Sequence, residues 1–323
     1  MPQLTSYFET ACSRVEPEGD DVSNASAAHL EVREVLEADL TFKEWGIKTC
    51  LIGSYGRHVS IRRIKDADVF CQLPEVDAAK SSRKVLSEAV RVLTDEYGAR
   101  VEPQDRSVKV QFPSFDMHVD VVPARPLGDD WEIPDHSERT AGWQKTNPLE
   151  LAALTTTMNN ENSQLYVPVV KLIRQTRRAN LDKRPGGLYF EILAYHAFAT
   201  GCAGSLPERY VDAVSSIADQ LEAVVAGGGL EDPSMEGELI DVRATALQMS
   251  TAARVFRSLA ARVQAALDTS DDCRAAADFR AILGKRSDDD EWVFPLPEYC
   301  NENGTPKYTQ KGLSYVPGEG RFA

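Results

Sequence analysis

Hydrophobic positions divide the chain into a mixed half and a helical half. From Ser23 or Asn24, either of which suits an N-cap, Leu30, Val32, Val35, Leu36, Leu40 and Phe42 recur at helical spacing up to Trp45 and Gly46. "IKTCLIG" (47–53) reads as a strand that stops at glycine, and "ADVFCQL" (67–73) as a second strand closed by Pro74. Residues 76–97 return to helical spacing through Val85, Leu86, Val90 and Leu93. "SVKVQF" (107–112) and "MHVDVV" (117–122) alternate strictly, and Pro123 closes the latter. Residues 126–150, rich in Pro, Asp and Trp, read as an irregular connection. Beyond them the spacing predicts helices over 148–159, 165–180, 187–200, 208–226, 237–268 and 271–284, with "VVAGGGLEDPSMEG" as a flexible loop between two of them. The pattern predicts an α+β fold: a mixed sheet with flanking helices, then a helical domain. The expected segments are 1–23 (N-terminal segment), 24–150 (sheet-bearing core), 151–290 (helical domain) and 291–323 (irregular, Pro/Gly-rich tail).

Charge narrows the partners. A net charge of −14 makes a long nucleic acid an unlikely substrate, although a local basic site remains compatible with it. The opening residues lack the basic and apolar regions of a signal peptide, and no apolar run is long enough to span a membrane. A soluble, cytoplasmic protein is expected. Cys12, Cys50, Cys71, Cys202, Cys273 and Cys300 are scattered without a ligand motif, so reduced buried thiols are expected.

The candidate chemistry begins in "LIGSYGRHVSIRRIKDADVF" (51–70). Asp66 and Asp68, at i and i+2 of a strand, share a face and repel one another. They are either a solvated strand start or a seat for a divalent cation, for which Mg²⁺ is suited. Asp120 interrupts an otherwise apolar strand end, so it either faces water or serves a ligand; Asp116, at the start of that strand, fits a solvated role better. Gly53-Ser54 follows a strand, where bare backbone and a hydroxyl can meet phosphate oxygens. Among the cations between this turn and Asp66, Arg57 is nearest the turn and is the first candidate for phosphate; the others are more readily surface charge. Lys171, beside an apolar helical stripe, reads by itself as a snorkelling lysine.

Together, "GSYGR", "DADVF" and "HVDVVPA" resemble the signature of the DNA polymerase β-like nucleotidyltransferases. Within that superfamily the chain is most similar to the bacterial cGAS/DncV-like nucleotidyltransferases (CD-NTases), kin to oligoadenylate synthase. "WQKTNPLELAALTTTMNN" and "YVPVVKLIRQTRRAN…RPGGLYFEILAYHAF" extend the likeness over about residues 25–285. The resemblance implies a polymerase β-like core and two Mg²⁺ ions, with Mn²⁺ as a substitute, on Asp66, Asp68 and Asp120. It implies that Gly53, Ser54 and Lys171 contact the donor triphosphate. Gly186-Gly187-Leu188-Tyr189 departs from the family pattern, which leaves stacking of Tyr189 on a base as the expected contact there. The implied activity is synthesis of a cyclic di- or trinucleotide second messenger from NTPs, ATP among them, in anti-phage signalling. A linear oligoadenylate-type or RNA-tailing transferase is the alternative. The resemblance also implies that the C-terminal tail can serve as a handle for a regulatory or conjugating protein.

Overall fold

Strand alternation decides which faces of the sheet are covered. The computed structural model describes residues 4–137 and 142–307. Its sheet contains β1 (Lys48–Ile52), β2 (Asp66–Gln72), β3 (Val101–Pro103), β4 (Val108–Phe112), β5 (Met117–Leu127), β6 (Asp130–Asp135) and β7 (Gly142–Thr146). The main path runs β1-β2-β5-β4-β3, and β6 and β7 extend it from the far end of β5. Only the β2–β5 pair is parallel; the other pairs are antiparallel. Ala67, Val69 and Cys71 of β2 and Val119 and Val121 of β5 are fully buried against α2 (Gly19–Ala38) and α5 (Ser82–Tyr97). Asp66, Asp68, His118 and Asp120 therefore take the opposite face.

The remaining helices are α1 (Thr5–Val15), α3 (Leu40–Glu44), α4 (Gly53–Gly56), α6 (Pro148–Glu161), α7 (Tyr166–Asn180), α8 (Gly187–Thr200), α9 (Leu206–Val225), α10 (Ala246–Asp268) and α11 (Asp272–Leu283). Helices α7 to α11 build a second core around Phe190, Tyr210, Phe256 and Phe279. Helix α1, within the N-terminal segment for which no element was predicted, joins this core. Its Phe8 is fully buried and makes edge contacts with Phe279 and Phe294. Thus, among the described residues, the first helix folds with the last ones.

Three further expectations change. Residues 126–150 are not irregular: the β6–β7 ladder fills much of them, from Trp131↔Thr146 to Asp135↔Gly142. Apart from the buried Pro134 and Asp135 at the end of β6, its residues are half-buried on both faces, so no clear alternation marks it. The helix expected over 237–268 begins at Ala246, because Thr245 and Gln248 form a reciprocal cap there. Residues 227–245 instead form a loop pinned by the Glu231↔Leu239 bridge. Finally, Cys273 and Cys300 are not reduced thiols but form a disulfide, which fastens the post-helical chain to the start of α11; Cys12, Cys50, Cys71 and Cys202 are free. The expected C-terminal handle, including 308–323, lies mostly outside the described residues.

Candidate active site

The site forms where β1 ends. Gly53 has a φ of +67°, a conformation costly for residues with a Cβ. A Cβ there would also lie 1.8 Å from Asp68 Oδ2. Glycine is thus required twice, by the turn and by the approach of the turn to the carboxylate. The turn opens α4, and the Ser54 hydroxyl lies 3.0 Å from that of Ser60.

The parallel register sets Asp68 beside Asp120 and Asp66 beside His118. Burial first, then the negative charges of Asp66 and Asp120, push Asp68 up to about 7. Asp120 Oδ1 is buried without a hydrogen-bond partner, and its Oδ2 lies 3.4 Å from His118 Nε2. Among the described residues no three His, Cys, Asp or Glu side chains already converge as a metal-ligand set. The donor chemistry still fits a hard cation: carboxylates share one face, one oxygen is orphaned, and their mutual repulsion calls for positive charge. His118 was not foreseen as part of this face, although its position two residues before Asp120 in an alternating strand was the available signal.

Three cavities reach the three aspartates. One of about 410 Å³ touches Gly53, Ser54, Arg57, Asp66, Asp68 and Arg174. The next, about 490 Å³, touches Asp68, Gln144, Gly187, Leu188 and Tyr189. The third, about 810 Å³, lies beside Asp120 and shares Arg106, Asp241 and Arg243 with the second. The 227–245 loop contributes Asp232 and Ile240 to the first two.

The cations are placed unequally. The Arg57 guanidinium bonds Glu191 at 2.6 and 3.0 Å, and both residues are buried. Burial alone would lower the Arg57 pKa, but Glu191 outweighs it and raises it. Arg174, also near Glu191 at 3.6 Å, is lowered by burial, an effect that Arg57 reinforces and Glu191 opposes. Its Nε has no partner. Lys171, one turn earlier on α7, is buried and paired with Glu16 at 2.5 Å. It lines a separate cavity with Tyr55 and His58 rather than the one holding the aspartates. Arg62 and Arg63 turn to Glu18, Asp288, Asp21 and Asp116, and Lys65 to Asp116. Of the basic segment's arginines and lysine, only Arg57 reaches the aspartate cavity. Arg174, which does so from another element, had no signal beyond its i+3 relation to Lys171. Tyr189 is buried, and its hydroxyl has no partner.

The profile of the Second Messenger Oligonucleotide or Dinucleotide Synthetase domain matches residues 2–159, the segment that carries the glycine-serine turn and all three acids. A cyclic AMP-AMP-AMP synthase of Acinetobacter sp. is 29% identical over 295 residues, covering 86% of this chain and 84% of that protein. Both likenesses are to enzymes of oligonucleotide second-messenger synthesis. The fold agrees. The structure of CdnC from E. coli MS115-1 with ATP superposes with a TM-score of 0.67 at 15% identity, covering 90% of this chain and 98% of that chain. CdnG of Bradyrhizobium diazoefficiens with GTP gives 0.68 at 15% identity, covering 87% and 97%. The chain thus shares with these structures a mixed sheet with flanking helices, completed by C-terminal helices. Among the described residues no helix is long and apolar enough to cross a membrane.

Proposed function

We propose that this protein is a CD-NTase that uses ATP, alone or with a second nucleotide, and divalent cations to make a ring of two or three nucleotides as a signal in anti-phage defence. The match to the second-messenger synthetase domain and the likeness to a cyclic AMP-AMP-AMP synthase support the coarser reading, a nucleotidyltransferase making cyclic oligonucleotides from NTPs. The observation that carries the reading is the register of Asp68 beside Asp120, with Asp66 on the same face and Gly53 against Asp68.

In this reading the backbone at Gly53 and Ser54 receives donor phosphate oxygens, and Arg174, with Arg57 behind it, supplies positive charge. Lys171 could join them only by leaving Glu16. Asp66, Asp68 and Asp120 would hold Mg²⁺, or Mn²⁺ in its place. Bound there, the cations supply charge to the phosphates and lower the pKa of the acceptor ribose hydroxyl. The protein's own part is to align acceptor and donor and to exclude water beneath the 227–245 loop. The adjoining cavities offer room for a second nucleotide, and the adenine-only name of the Acinetobacter relative supports ATP.

The test is incubation with four NTPs and Mg²⁺ or Mn²⁺, then phosphatase and mass spectrometry. Short, phosphatase-resistant products are expected, and they should vanish with EDTA or in Asp66→Ala/Asp68→Ala. Long RNA extension would point to a tailing enzyme. If wild type and the double variant are equally inert under all these conditions, the reading fails.

A further inference from the structure

Gln144 has no role in the reading above, yet it carries a buried Oε1 without a hydrogen-bond partner. It lies on β7 and lines the same middle cavity as Tyr189, whose hydroxyl is likewise buried and unpartnered. A buried polar atom left unpaired is costly, so two such atoms, on residues that line one cavity, mark a place where a ligand that turns these side chains toward it completes the bonding. The cavity's walls indicate the shape of that ligand. Leu188 and Leu239 line it, although 45% and 61% exposed, and Ile133 and Ile240 lie with them. Exposed leucines facing a cavity with two orphan polar groups suit a flat heteroaromatic ring.

We infer that Gln144, supported by Tyr189, is the residue that selects adenine in this cavity; the inference rests on the nucleotidyl-transfer reading. A primary amide presents a donor and an acceptor side by side. Adenine matches both halves, with its N6 amino group beside a ring nitrogen. Where the base turns its N6/N7 or N7/O6 edge to Gln144, guanine presents two acceptors and would leave Oε1 unpaired; the inference assigns that edge to the cavity. Arg106, an alternative reader of guanine in the same cavity, is held by Asp135 at 2.5 Å.

The experiment measures binding of the α,β-methylene analogues of ATP and GTP to the full chain, alongside pyrophosphate release from ATP and GTP. Wild type should prefer the adenine analogue. Gln144→Leu should weaken it about 5- to 150-fold, the span of one bidentate base contact, while changing the guanine analogue little. Tyr189→Phe, which keeps the ring and the packing, should weaken the adenine analogue roughly 3- to 10-fold. An unaltered adenine-to-guanine ratio in both variants, or a wild type that prefers guanine, would overturn the assignment. A protein that binds the adenine analogue through Gln144 but yields no phosphatase-resistant product would uphold this assignment and contradict the reaction instead.

Discussion

Consider the removal of Glu191. Its carboxylate is 1% exposed and holds Arg57, itself 7% exposed, through two N–H donors, with Arg174 3.6 Å away. Glu191→Ala leaves the buried Arg57 guanidinium and the half-buried one of Arg174 without their shared counter-charge. Breaking one side of a buried pair costs about 3–5 kcal/mol, and the second cation places this case toward the upper end. Arg57 follows α4 beside the sheet, whereas Glu191 sits on α8 in the helical core, so the pair also ties the two cores together. At about 2 °C per kcal/mol for a chain of this size, thermal melting followed by circular dichroism should fall by roughly 6–10 °C. Arg57→Met/Glu191→Leu, which replaces the pair with apolar groups of similar volume, should recover most of that loss but not the activity. A melting shift below about 2 °C in the single variant would refute the reasoning, because the pair would then contribute no more than an exposed one.

Three further outcomes are expected. Gly53→Ala forces a left-handed residue and a Cβ against Asp68, so product formation should fall about 100-fold in a rate assay, with a stability loss of roughly 1–3 kcal/mol in urea unfolding. Arg174→Ala should raise the KM for ATP more than Lys171→Ala does, because Arg174 lines the aspartate cavity and Lys171 is held by Glu16; equal effects in steady-state kinetics would show that Lys171 leaves Glu16 for the phosphates. Cys300→Ser should lower stability by up to about 3–4 kcal/mol from loop entropy over a separation of 27 residues, and dithiothreitol should have the same effect on wild type but none on the variant.

Much of the site was legible because its signals are local. A glycine after a strand, a D-x-D at the mouth of the next strand and one acid in an alternating run are each read from neighbours in sequence. Period-2 alternation assigns each residue to a face before any partner strand is known. What alternation could not tell is which strands lie side by side. That Asp68 sits beside Asp120 depends on a parallel pairing across about fifty intervening residues. Gln144 escaped notice because its strand has both faces half-buried and so carries no contrast between apolar and polar positions.

The charges show the same division. The sequence by itself determined how many cations lie between Gly53 and Asp66, but the tertiary structure decided their partners. An arginine's charge is local, whereas the carboxylate that meets it comes from wherever the chain returns: Glu191 for Arg57, Asp288 for Arg62, Glu16 for Lys171. The Cys273–Cys300 bond and the packing of α1 against the last helices have the same origin. Local spacing sets faces and turns, because covalent geometry acts between neighbours. Long-range pairing is set by which surfaces can be buried together, and that is decided only when the whole chain packs.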